Sequence, residues 1–225
     1  MTVPSVTALV PMRHHSERVP EKNFRLLAGK PLYSHVLQTL LDVPQVGQIV
    51  VDTDSPVIKG GLAEDFPSVV VLDRPEHLTA PDIPMNEILR WDVGRLDSEH
   101  FLQTHSTNPL LKADTVSDAI MAYFDGLENH DALFSVTAVQ KRYWTAEGAP
   151  VNHDPAHLIQ TQALPPLYEE NSCLYLFSRA ALVETGNRLG RHPKLFQIPA
   201  DEAWDIDEEE DFQLVECLLA SREAP

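Results

Sequence analysis

Cysteine is nearly absent from this chain: Cys173 and Cys217 are the only two in 225 residues. They lie far apart and neither belongs to a Cys-x-x-Cys pair. No disulfide framework is available, and a reduced cytoplasmic protein is expected. Long apolar runs are missing too; none approaches the roughly 18–20 residues a membrane-spanning helix needs. The opening stretch MTVPSVTALVPMRHH has no basic segment before its short apolar part, so it does not read as a signal peptide. Internal repeats and low-complexity tracts are missing. Positive charge is scarce: Lys plus Arg number 17 against 34 Asp plus Glu, a net charge of −17. Such a balance argues against a nucleic-acid partner and against an anionic membrane surface. The chain also lacks the P-loop and G-x-G-x-x-G patterns, so neither a P-loop NTPase nor a dinucleotide-binding fold is indicated.

What is present is a chain that can fold. Hydrophobic residues make up 43% of it, and the length suits one domain with a sizeable core. The charge is unevenly spread. Arg13, Arg18, Lys22, Arg25 and Lys30 face only Glu17 and Glu21 in residues 1–30, a local balance of +3. The other residues therefore carry −20, and eight of the eleven from Asp201 to Asp211 are acidic.

Hydrophobic patterning predicts strands at Val6–Val10, Gln48–Val51, Val69–Leu72, His100–Gln103, Leu133–Val139, Cys173–Phe177 and near Phe196–Ile198. Helices are expected from Pro31 through Leu41, over Ile83–Leu96, around Val116–Leu127, over Arg179–Glu184 and at the end, where Phe212, Val215, Leu218 and Leu219 share a face. This alternation predicts an α/β, three-layer architecture with a mainly parallel sheet. Ligands in such sheets bind beyond the carboxyl ends of the strands. Lys141–Glu170, rich in Pro, His and Gln, reads as a long loop that is functional or part of an interface.

Two segments carry chemistry. Residues 11–23, after the first strand, supply Arg13, Ser16, Arg18 and Lys22. Cations and a hydroxyl at that place suit the oxygens of a triphosphate. Asp205 and Asp207, two apart, share a face if extended, and two carboxylates beside a triphosphate suit Mg²⁺. Glu208, Glu209 and Glu210 fit the first turn of the last helix through its dipole.

The pattern R-x-x-S-x-R-x-P-x-K-N from Arg13 to Asn23, then Gly29-Lys30-Pro31-Leu32, resembles the opening of the acylneuraminate (CMP-sialic acid synthetase-like) cytidylyltransferases. The resemblance spans roughly Ala8 to Leu219. It implies a Rossmann-like nucleotidyltransferase fold, and CTP plus an acidic keto-sugar giving CMP-sugar and pyrophosphate. It places Arg13, Ser16, Arg18, Lys22 and Asn23 on the nucleotide, Arg13 and Lys22 also stabilising the leaving pyrophosphate. Arg74, in Asp73-Arg74-Pro75-Glu76-His77-Leu78, joins them on the nucleotide. Gln103 in L-Q-T-H-S-T-N-P-L, Lys141 and Tyr175 are its sugar-side candidates. D-I-D-x-x-x-D at Asp205–Asp211 implies a catalytic Mg²⁺ on Asp205 and Asp207. One domain over 1–225 is expected, with 141–170 as a dimerisation or substrate-lid insertion in a homodimer.

The chain departs from the family at His14-His15, where Gly-Gly is common, and at Ser172, where N-G-x-x-Y has its glycine. For the histidines two outcomes are open: one ring adds a donor to phosphate, or both rings face solvent. Asp52-Thr53-Asp54 reads as a strand-end cap. A different sugar or polyol phosphate acceptor is an alternative, although the G-x-G-x-R loop of polyol phosphate enzymes is missing. A catalytically silent nucleotide-binding module is another.

Overall fold

The structure, a computed structural model, describes residues 4–223; the first three residues of the opening stretch lie outside them. In chain order the elements are β1 (Val6–Leu9), a hairpin of β2 (Leu26–Leu27) and β3 (Lys30–Pro31), α1 (Leu32–Leu41), β4 (Val46–Thr53), α2 (Pro56–Asp65) and β5 (Val70–Asp73). Then come α3 (Met85–Val93), β6 (His100–Gln103), α4 (Ala113–Asp125), β7 (Ala132–Val139), β8 (Leu167–Ser178), α5 (Arg179–Thr185), β9 (Pro193–Gln197) and α6 (Glu209–Glu223).

Seven strands form one sheet in the order β5-β4-β1-β6-β8-β7-β9. β1 pairs in parallel with β4 and β6, β4 with β5, and β7 with β9. Only β8 runs against its neighbours β6 and β7. The expected mainly parallel α/β sheet is therefore found.

Alternation along β1 explains the three layers. Val6 and Ala8 point to one face, where they meet Val36 and Leu40 of α1, Ile58 and Leu62 of α2, and Val116 and Ile120 of α4. Leu9 points to the other, with Leu89 and Val93 of α3 and Leu182 of α5. Both faces of the central strands are covered, which is why they read as continuous apolar runs.

A third, smaller cluster sets up the site. Val19 from the loop after β1, Leu27 and Leu32 pack against Ile206, Phe212 and Val215. Arg25 adds a bidentate pair to Glu209 at 2.6 and 2.8 Å and lies 4.1 Å from the Phe212 ring centre. The basic start and the acidic end of the chain are thus held side by side.

Two expectations need correction, and one helix was not anticipated. Pro31 stands one position before α1, as its N-cap, rather than inside the helix. α2 was not expected from the pattern; Ser55 caps it by accepting from Ile58 N at 3.2 Å, and Pro56 is its first residue. β8 begins at Leu167, inside the segment read as loop, and its first four residues are exposed. They pair with Val136–Val139 although they have no buried face to give a period-two pattern.

Candidate active site

A cavity of about 420 Å³ opens beyond the carboxyl ends of the parallel strands. It is lined from the loop after β1, from the residues following β5 and β6, and from the acidic segment before α6. Of the residues expected in the site, Arg13, Ser16, Arg18, Lys22, Asn23, Arg74, Asp205 and Asp207 all line it. Gln103, Lys141 and Tyr175 do not.

Hydrogen bonds shape the loop from within. Asn23 Nδ2 donates to the carbonyl of Arg13 at 2.8 Å, and Ser106 Oγ donates to Asn23 Oδ1 at 2.7 Å. Asn23 therefore ties the loop after β1 to the one after β6. Arg13 Nη1 reaches the Pro81 carbonyl at 3.3 Å. The two histidines match neither outcome. His14 turns inward: its N–H donates to Asp54 Oδ1 at 2.7 Å, its Nδ1 meets Ser55 Oγ at 2.7 Å, and its ring stacks on Phe24. His15 is exposed, and neither ring lines the cavity. Asp54 thus fastens the loop, in keeping with the structural reading of Asp52-Thr53-Asp54.

Asp52 does more than end a strand. It is buried and paired with Arg74 Nε, and its carbonyl accepts from Arg74 Nη2 at 3.4 Å. Arg74 is itself only 8% exposed, so its guanidinium enters the cavity from a fixed mount. Asp92 of α3, which sequence reasoning missed, lies against Asp52 at 1% exposure. Burial, and then the Asp52 charge, push its carboxyl up to about 8.

The acidic segment meets the basic loop directly. Arg18 Nη2 donates to Asp207 Oδ1 at 2.5 Å and Nη1 to Glu208 at 3.2 Å. Lys22 Nζ donates to the Ile206 carbonyl at 2.6 Å and stands 3.5 Å from Asp207. Asp211 caps α6 by accepting from the N–H groups of Asp207 and Glu208 at 3.0 and 2.8 Å.

Asp205 differs from its neighbour. Its Oδ1 is buried without a hydrogen-bond partner, and burial raises its pKa. Asp205 lines the cavity beside Asp207, and a carboxylate with an orphaned oxygen there fits a hard divalent cation that takes few protein oxygens. Among the described residues no cluster of three or more His, Cys, Asp or Glu could hold a metal unaided. A Mg²⁺ here would complete its shell with oxygens from water or a phosphate.

Two more residues escaped sequence reasoning. His105 lines the cavity, and burial, then Arg188 and Lys22, lower its pKa to about 4. Arg188 lines it as well, from the loop after α5. Its Nη1 donates to Gln103 Oε1, and its Cζ lies 3.5 Å from the Tyr175 ring centre. Tyr175 is core, 1% exposed, and Lys141 is exposed and lines an adjoining cavity that shares Ser172, Asp205 and Asp207 with the first. No sequence signal marks Arg188, because its partners come from distant strands.

The family profile described as "Cytidylyltransferase" matches residues 7–223. The chain belongs to the cytidylyltransferase family. It is accordingly a nucleotidyltransferase, the enzyme class its opening pattern resembled. The CMP-N,N'-diacetyllegionaminic acid synthase of Legionella pneumophila is 27% identical over 226 residues, covering 95% of this chain and 96% of that one. The N-acylneuraminate cytidylyltransferase of Streptococcus agalactiae serotype III is 23% identical over 91% of this chain but 51% of its own length. This cytidylyltransferase thus spans about half the length of that relative. A solved CMP:2-keto-3-deoxy-manno-octonic acid synthetase, complexed with CTP, superposes with a TM-score of 0.74 at 15% identity, over 97% of this chain and 99% of that one. This last likeness speaks to the fold. Among the described residues no helix is long and apolar enough to cross a membrane.

Proposed function

We propose that this cytidylyltransferase joins CTP to an acidic keto-sugar of the nonulosonic or ulosonic acid type, giving CMP-sugar and pyrophosphate. The observation that carries the reading is the single cavity lined both by Arg13, Ser16 and Lys22 and by Asp205 and Asp207. The acceptor class draws its support from the names of the legionaminic and N-acylneuraminate relatives.

The loop after β1 would receive the triphosphate through Arg13, Ser16, Lys22 and its own N–H groups, with Arg18 and Asn23 beside the nucleotide. Arg74, fixed by Asp52, adds a further guanidinium to the nucleotide side. The sugar's anomeric oxygen bonds to the α-phosphorus while the bond from that phosphorus to the bridging oxygen breaks. The electron pair leaves with pyrophosphate, whose charge Arg13 and Lys22 offset, and the hydroxyl proton passes to water. Asp205 and Asp207 would hold Mg²⁺, which when bound supplies positive charge to the phosphates.

Residues 141–170 are read as a dimerisation element. Trp144, Val151, Leu158, Ile159, Leu167 and Tyr168 are all exposed there, which suits a covered face in a homodimer. Two free cysteines support a cytoplasmic setting.

Pyrophosphate release from CTP, measured across a panel of keto-sugar acids, tests the reaction. Release should depend on both CTP and an acidic sugar. Asp207→Asn should reduce it by about 10³-fold or more with the melting temperature unchanged. CTP binding with no release for any sugar acid would defeat the reading, and wild-type-like release from Asp207→Asn at saturating Mg²⁺ would remove the metal assignment.

A further inference from the structure

Five cations line the cavity: Arg13, Arg18, Lys22, Arg74 and Arg188. Three are already matched to acids. Arg18 and Lys22 meet Asp207, and Arg74 meets Asp52. Arg13 and Arg188 have no carboxylate partner among the described residues. Arg13 bonds a carbonyl, and Arg188 bonds a carboxamide. A reaction between CTP and a sugar acid brings two anions, a triphosphate and a carboxylate. Arg13 stands on the phosphate loop. Among the cations of this cavity, Arg188 is left for the other.

The surroundings of Arg188 hold it in place without neutralising it. Its backbone N–H donates to Asn86 Oδ1 of α3 at 3.2 Å, and Asn187 Oδ1 accepts from Leu189 N at 3.0 Å. The guanidinium stacks on Tyr175, and its Nη1 donates to Gln103. Gln103 cannot turn its oxygen elsewhere, because its Nε2 is committed to the Thr104 carbonyl at 3.0 Å and to His105 Nε2 at 3.1 Å. The acid whose charge acts on Arg188, Glu170, accepts a hydrogen bond from the Tyr175 hydroxyl. Burial lowers the pKa of Arg188, so its charge is costly where it stands. A half-buried guanidinium with uncharged direct supports is stabilised when an anion meets it, and its planar fork fits a carboxylate.

We propose that Arg188 anchors the carboxylate of the sugar acid, with Gln103 and Tyr175 as positioning residues that fix its guanidinium. The proposal rests on the acid-sugar reading given above. It gives the two buried residues Gln103 and Tyr175 a role exerted through a third residue, since neither lines the cavity itself.

The test compares a keto-sugar acid with its C1 methyl ester as acceptors, following pyrophosphate release by the wild type, Arg188→Gln and Arg188→Lys. The KM for CTP and the melting temperature report on the rest of the site and on folding. Arg188→Gln should raise the KM for the acid about 100-fold and leave the KM for CTP within about twofold. It should also erase the wild type's preference for acid over ester. Arg188→Lys, which keeps the charge but lacks the fork, should recover part of that preference. If Arg188→Gln does not fold, Arg188→Lys decides: its KM for the acid should rise about tenfold with CTP unaffected. An unchanged acid-over-ester preference in the substituted enzyme, or a parallel rise in both KM values, would overturn the anchor alone. Failure of the wild type to release pyrophosphate with any sugar acid would sink the acid-sugar reading, and the anchor with it.

Discussion

Ser172 occupies a left-handed backbone position, with φ at 58°, where the β7–β8 ladder breaks between Phe134 and Val136. Asn171 builds the break: its Oδ1 accepts from Ser135 Oγ at 2.5 Å and from Cys173 N at 3.2 Å, and its Nδ2 donates to Thr137 Oγ1 at 2.9 Å. The result places Ser172 at the cavity wall. A side chain in this conformation costs about 1–2 kcal/mol, whereas a glycine gives back about 0.4–1 kcal/mol through a looser unfolded chain. Ser172→Gly should therefore gain about 0.5–1 kcal/mol and raise the melting temperature by about 1–3 °C. Ser172→Ala should gain nothing. Calorimetry on the pair checks this, and equal melting points would show that the strain is absent. At this scale much of the cavity's lining was legible in the sequence. Arg13, Ser16, Arg18, Lys22 and Asn23 sit within one loop, and Asp205 and Asp207 within one motif. Arg188 and Asp92 were not legible, because each acquires its meaning from a partner, Gln103 or Asp52, that only the folded sheet supplies.

At the scale of elements, α2 shows why one helix went unseen. Gly60 and Gly61 sit in its middle, the residue type least favourable to a helix after proline. The two glycines differ in their surroundings. A Cβ at Gly61 would overlap the hydroxyl of Tyr33, whose ring is buried at 2% exposure, whereas nothing lies within 4 Å of one at Gly60. Tertiary contact with α1 thus selects a small residue at Gly61 and overrides local propensity. Gly60→Ala should stabilise the protein by about 0.5–1 kcal/mol. Gly61→Ala should destabilise it by about 1–3 kcal/mol through overpacking. Removing the Tyr33 hydroxyl should turn that loss into a gain like that at Gly60, because the ring carbon beneath it stands 3.5 Å away, in ordinary contact. Denaturant midpoints for the double-mutant cycle measure the coupling. If Gly61→Ala costs the same with Phe at position 33, Tyr33 is not the reason for the glycine. The exposed start of β8 was hidden for the opposite reason: it has no buried face to imprint a pattern, and its pairing with β7 is carried by the backbone alone. The strands with two covered faces were the legible ones.

At the scale of the whole molecule, the −17 net charge says little about the site, whose lining holds five Lys or Arg against three acids, Glu17, Asp205 and Asp207. The acid that matters for stability is buried. Asp52 and Asp92 face each other at 1% exposure each; Arg74 pairs directly with Asp52, and the charges of Arg74 and then Arg95 act on Asp92 without outweighing its burial. One positive charge can match one carboxylate. Asp52 Oδ2 and both Asp92 oxygens lack any other donor, so a proton held by Asp92 and shared with Asp52 completes the arrangement. Unfolding would return Asp92 to its ordinary value of about 3.9, against about 8 in the fold. Between those limits the folded state keeps a proton that the unfolded state has released. The pair's contribution to stability is thus complete below about pH 4. It shrinks as pH rises and levels off above about pH 8. Asp92→Asn holds its hydrogens at every pH and keeps a donor for Asp52. The stability of the variant relative to wild type should therefore climb across this window, at no more than about 1.4 kcal/mol per pH unit. Taking the difference cancels the titration of surface carboxylates, which both proteins share. Denaturant unfolding at pH 5, 7 and 9 measures it. A difference that stays constant over that range would show that Asp92 is ionised in the folded enzyme, and Arg74 would then have to serve two carboxylates while still presenting its guanidinium to the cavity.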